Sequence, residues 1–189
     1  MSVPANPLAP PILFVDVDGV ISLFGFSPDD PAPGSFHYVE GIFHLLGAQA
    51  GERLNRLAGR FELVWATGWE ERAKEHLPRL LGLTGAELPV LSFAGRAVWG
   101  SAHWKVEAID EYAGDRPAAW IDDNLDESCE RWARERAAPT LLLRTDPAVG
   151  IAEEHVASST TLNRRADRDR GGPRARTLRR QSRGGRHVS

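Results

Sequence analysis

Short, near-continuous apolar runs alternate with longer amphipathic stretches along the first 150 residues. The apolar runs lie at 12–17, 61–66, 89–93, 118–121 and 140–143. Each is too short for a helix of its own. Each also lacks the in–out alternation of a strand wetted on one side. A strand buried on both faces reads this way, and such strands belong to parallel sheets covered by helices. Between the runs lie amphipathic segments near 50–59, 69–81, 103–113 and 125–137 that predict helices. In the last, Leu125, Cys129, Trp132 and Ala133 form an apolar stripe at helical spacing, and Asn124 stands as a candidate N-cap. Gly59 and Gly114 mark helix ends, and Pro78 predicts a kink or restart in the second helix. A further short helix is expected at 149–156. The alternation predicts a three-layer α/β/α sandwich around a mainly parallel, about five-stranded Rossmann-like sheet.

Composition narrows this picture. A chain of 189 residues with 42% hydrophobic residues suits one ordinary core. One cysteine, Cys129, excludes an internal disulfide and suits a reducing, cytoplasmic setting. No apolar run approaches the roughly 20 residues of a membrane helix. The N-terminal apolar stretch lacks a basic start and is interrupted by Asp16 and Asp18, so it does not read as a signal peptide. The net charge of −3 hides an asymmetry. Residues 164–189 hold ten arginines and two aspartates, a net +8, which leaves −11 for the rest. Poor in large apolar residues, this tail is expected to be disordered. The domain division is therefore a folded unit over 1–163 and a basic tail over 164–189.

In a parallel α/β sheet, ligands sit beyond the carboxyl ends of the strands. Asp16-Val17-Asp18-Gly19 follows the first run, Thr67-Gly68 the second and Asp122-Asp123-Asn124 the fourth, while Lys105 begins a helix between the third and fourth. On a continuing strand Asp16 and Asp18 point the same way. Four acids at one edge repel unless a cation neutralises them. Oxygen ligands without His or Cys suit Mg²⁺. A carboxylate beside Mg²⁺ can attack phosphorus to form an aspartyl-phosphate, and a second can serve as acid and then base. Thr67 and Lys105 suit the phosphate oxygens, and Gly19 and Gly68 allow close backbone approach.

These four segments resemble the haloacid dehalogenase-like superfamily of phosphohydrolases, in its compact small-cap form. The resemblance covers about residues 11–145 and rests on Asp16-Val17-Asp18-Gly19, Thr67-Gly68, Lys105 and Asp122-Asp123 in order and context. It implies Asp16 as nucleophile, Asp18 as general acid/base, and Thr67 and Lys105 as phosphate binders. It implies Mg²⁺ on Asp16, the Asp18 carbonyl and the Asp122–Asp123 pair, with Asp123 the favoured direct ligand. An acid at position 18 is what the phosphatases of the superfamily carry and its dehalogenases lack.

The segment at about 20–50 holds Pro28, Pro31, Pro33 and Gly34 and matches the place of a cap insertion. It suffices for a flap or hairpin, and a small cap implies an open site for a large phosphorylated substrate. Phe24, Phe26, Phe36 and Tyr38 are expected to pin this loop onto the core, the alternative being that they and His37 contact the substrate. Trp65, Trp99, Trp120 and Trp132 are expected in the core, and Trp69 and Trp104 either there or walling the site. Some bacterial RNA-repair proteins carry compact domains of the same superfamily. The second reading is an inactive binding module, or nucleic-acid binding through the basic tail.

Overall fold

A computed structural model describes residues 9–27, 29–30, 33–85, 87–93 and 101–170, with side chains through 162. Four parallel strands form the central sheet: β1 (Ile12–Val15), β5 (Glu62–Trp65), β6 (Ala118–Asp122) and β7 (Thr140–Arg144), in the order β5-β1-β6-β7. Their side chains alternate between two cores. Leu13, Val15, Leu63, Trp65, Ala119 and Ile121 face one side, which is covered by α1 (Ala50–Ala58), α2 (Glu71–Leu80) and α5 (Glu153–Arg170). Ile12, Phe14, Val64, Ala118 and Trp120 face the other, under α3 (Val106–Ala113) and α4 (Glu127–Glu135). This double burial is why the strands read as unbroken apolar runs.

The run at 89–93 makes less of a strand than expected. Only Val90 bridges to Trp65, with Trp65 N donating to the Pro89 carbonyl and Leu91 N to the Trp65 carbonyl. Pro89 has no N–H to extend that ladder. The expected fifth strand is thus a single bridge at the sheet edge, and the regular sheet has four strands.

Three further findings concern helix ends. Asp126, not Asn124, caps α4, its carboxylate accepting from the Ser128 and Cys129 amides. Pro78 lies inside α2, which continues only two residues beyond it. The last helix begins later than expected, at Glu153, and runs to Arg170, into the segment expected to be disordered. It packs through Val156 and Leu162, and a helix once nucleated extends at little cost through Arg and Ala. Residues 171–189 and Trp99 lie outside the described residues.

Between β1 and α1 the chain forms a three-stranded antiparallel sheet of order β2-β4-β3, from β2 (Ser22–Leu23), β3 (Gly34–Val39) and β4 (Ile42–Gly47). Glu40 and Gly41 close the β3–β4 hairpin with φ of 48° and 89°, the hand that a two-residue hairpin turn requires. The aromatics do not pin this segment to the core: Phe36, Tyr38 and Phe43 are 63%, 65% and 71% exposed, and Phe24 is also exposed. Register explains this. Phe36 and Tyr38 share a face with Phe43, while His37 and His44 share the opposite one. On that second face His44 meets Trp69, while Val39 and Leu46 at the hairpin's two ends join the main core.

Candidate active site

The sheet register assembles the site. Val15 pairs with both Trp65 and Ile121, so the residues just past these positions arrive at one level. Asp16 N donates to the Ile121 carbonyl at 3.1 Å, and Ala66 N to the Val15 carbonyl at 2.9 Å. Asp16, Thr67 and Asp122 thereby converge at the carboxyl edge, all three buried.

Lys105 ends a single 3₁₀ turn (His103–Lys105) leading into α3, and its side chain is buried. Its Nζ lies 2.8 Å from Asp16 Oδ2 and donates to Asp122 Oδ2 at 2.7 Å. The Trp104 ring lies 5.3 Å from the ammonium and itself packs edge-on against Phe93. Asp122 Oδ1 accepts from Asn124 N at 2.9 Å, so Asp122 is held from both sides. Asp123 is half-buried beside it, with Oδ1 accepting from Asn124 Nδ2. Oxygens of Asp16, Asp122 and Asp123 lie within 4.8 Å of one another.

Asp18 departs from the expected geometry. β1 ends at Val15, and the amides of Val20, Ile21 and Ser22 all donate to the Val17 carbonyl. This tight turn breaks the strand, so Asp16 and Asp18 do not point the same way. Asp16 turns inward to Lys105; Asp18 is exposed, and its Oδ2 accepts from Trp69 Nε1 at 3.0 Å. Three acids converge rather than four. Gly19 closes the turn with φ +71°, its carbonyl accepting from Thr145 Oγ1. A Cβ on Gly19 would lie 2.5 Å from Asp123 Cγ, so glycine there leaves Asp123 its place. Thr67 is fully buried, its Oγ1 accepting from Trp69 N, while Gly68 is exposed.

Electrostatics follow from burial. Desolvation pushes the Asp16 carboxyl up to about 7, against the opposing pull of Lys105 and with the added repulsion of Asp122. Burial and then Asp122 likewise raise Asp123. Burial draws the Lys105 ammonium down, yet Asp16 and Asp122 outweigh it and raise its pKa. Three carboxylates against one ammonium leave two negative charges when all are ionised. The donors are all oxygens. Such a site fits a divalent hard cation, and Mg²⁺ foremost.

Sequence reasoning singled out Asp16, Asp18, Gly19, Thr67, Gly68, Lys105, Asp122 and Asp123, and all of them lie in or beside this edge. It missed Asn124 as a clasp on both acids. It also missed Ser22, whose hydroxyl meets His44 Nδ1 at 3.0 Å. Glu70 holds a strained backbone, φ 47°, while its carboxylate accepts from Phe93 N. No local spacing marks Ser22 or Glu70, because the partner of each comes from a distant segment.

A compact Rossmann-like domain with an aspartate–lysine–aspartate cluster beyond its central strands has the architecture of haloacid dehalogenase-like proteins. Within that class, the family of the HAD domain in Swiss Army Knife RNA repair proteins matches residues 12–156, and the chain belongs to it. No curated protein matches the chain. Among the described residues no helix is long and apolar enough to cross a membrane.

Proposed function

We propose that the protein is a Mg²⁺-dependent phosphatase that removes phosphate monoesters through an aspartyl-phosphate on Asp16. The observation that carries this reading is the buried Asp16–Lys105–Asp122 contact, with Asp18 two residues along the chain and hydrogen-bonded through a different atom set. The two acids occupy different environments, which suits two different roles.

Asp16 attacks phosphorus, and the bond from phosphorus to the ester oxygen breaks. Asp18 gives its proton to the departing oxygen. The same carboxylate then takes a proton from water, the water oxygen bonds to phosphorus, and Asp16 is released with inorganic phosphate. Lys105 and Thr67 hold the non-bridging oxygens. Asp16, the Asp18 carbonyl and Asp123 would hold Mg²⁺, with Asp122 fixing Lys105 beside them. When bound, the cation neutralises the acid cluster and the charge of the phosphoryl group. The family's link to RNA repair and the small hairpin beside the site favour the phosphorylated end of an RNA as substrate. The cytoplasm suits a protein with a single, buried cysteine.

Phosphate release from para-nitrophenyl phosphate and from RNA oligonucleotides with terminal phosphates tests this directly. Turnover should require Mg²⁺ and vanish in Asp16→Asn with the melting temperature retained. An Asp16→Asn protein as active as its parent overturns the reading.

A further inference from the structure

Among the described residues, one indole touches the candidate machinery by a hydrogen bond. Trp69 is buried, yet its Nε1–H reaches Asp18 Oδ2 at 3.0 Å. Its backbone N donates to Thr67 Oγ1 at 3.3 Å. So one residue contacts both the acid and the hydroxyl that flank the phosphoryl position in the reading above. The indole is itself held from the other side. The His44 ring packs edge-on against it, 4.6 Å between centroids, and the Ser22 hydroxyl fixes the His44 ring. His44 stands on β4, and Ser22 on the neighbouring strand β2. The flap sheet thus packs through His44 on Trp69, and Trp69 in turn reaches Asp18.

Asp18 needs such a hold. It sits at 18, beyond the end of β1, on an exposed turn where no sheet hydrogen bond fixes its side chain. A general acid must lie within hydrogen-bond reach of the departing oxygen, and a free carboxylate on a turn samples many rotamers. An indole N–H bound to one carboxylate oxygen limits that freedom and leaves the other oxygen to carry the proton. We infer that Trp69 is a positioning residue that aims the Asp18 carboxyl at the leaving group, with His44 of the hairpin bracing the indole. This rests on the phosphatase reading of Asp16 and Asp18.

The test exploits leaving-group chemistry. Para-nitrophenolate departs without a proton, whereas the alkoxide of a nucleoside monophosphate needs one. The ratio kcat/KM, which reports steps up to the first bond cleavage, is measured for both substrates in the parent, Trp69→Phe and Asp18→Asn. Trp69→Phe should lower kcat/KM for the nucleoside monophosphate by about ten- to a hundredfold and for para-nitrophenyl phosphate by less than about threefold. Asp18→Asn should show the same selectivity, more strongly. An equal loss on both substrates in Trp69→Phe means a packing role and overturns the inference. If Asp18→Asn leaves both substrates untouched, the acid role of Asp18 falls, and this inference with it. If Trp69→Phe fails to fold, NMR of the indole N–H groups decides. Asp18→Asn should shift one indole resonance upfield, and a spectrum in which none moves overturns the inference.

Discussion

Asp16 is an acid placed where water cannot hydrate its charge. Burial alone would keep it protonated near neutral pH, and only a cation makes the charged form affordable. The sign of the consequence is fixed. Its folded-state pKa of about 7 exceeds the ordinary 3.8, so the folded state keeps a proton that the unfolded chain releases. Without Mg²⁺ the stability owed to Asp16 is therefore complete below about pH 4 and declines as pH rises towards 7. Melting curves in chelator should slope downward across that window, and Asp16→Asn should flatten the slope. Mg²⁺ at one fixed concentration should raise the melting temperature far more at pH 8 than at pH 5, and at a hundred times its Kd it should stabilise the fold by about 2.7 kcal/mol. A rise independent of pH would contradict this. At this scale the acids and Thr67 were legible because they follow strands, where such sheets place their ligands, and Lys105 because it opens a helix at the same edge. Trp69 was legible as a residue of the core or the site wall, but its bond to Asp18 was not: position 18 is near only once β1 and β5 lie side by side.

The hairpin is the element whose hold on the body is least secured by burial. Its tip rests on α2, where Glu40 meets Arg72 at 3.3 Å and His76 at 3.6 Å, all partly exposed. Exposed pairs contribute about 0–1 kcal/mol each, enough to bias a small flap and too little to affect global stability. Glu40→Ala should leave the melting temperature within about 2 °C. Hydrogen exchange of the β3 and β4 amides should quicken at least threefold, since that segment opens locally. Unchanged exchange would show that the buried contacts of Val39, Leu46 and His44, not the Glu40 pairs, keep the hairpin closed. Elements buried on two faces were easy to read from their apolar runs. The run at 89–93 misled because its proline sits where a strand must donate. The α4 cap misled by two residues: Asn124 and Asp126 are both good caps, but Asn124 spends its amides on Asp122 and Asp123. The flap aromatics misled because hydrophobicity alone does not say which face of a two-sided sheet meets the core.

Charge is distributed unevenly over the whole molecule, acidic in the body and basic beyond α5. Residues 171–189 hold six arginines and no acid. An acidic body repels RNA at long range, and a basic segment joined to it draws the strand back. Deleting 171–189 should weaken binding of a single-stranded RNA at low salt at least tenfold and flatten its salt dependence. Turnover of para-nitrophenyl phosphate should not change. Equal binding by both forms would remove the tail from any role in substrate capture. Of the stretch whose charge and polarity argued for a free tail, residues 164–170 are instead helical, because the packed start of α5 carries the helix onward. The register of the sheet has one further consequence, for how the molecule is made. Asp16 and Asp122 become neighbours only because β1 and β6 pair. At a synthesis rate of about 5–20 residues per second, the ribosome releases Asp16 several seconds before Asp122. A nascent chain that has emerged only through Gly68 has Asp16 and Thr67 but neither Lys105 nor Asp122 to hold it. On the phosphatase reading, any translation product that ends before Asp122 is therefore silent, because part of the cluster has yet to be made.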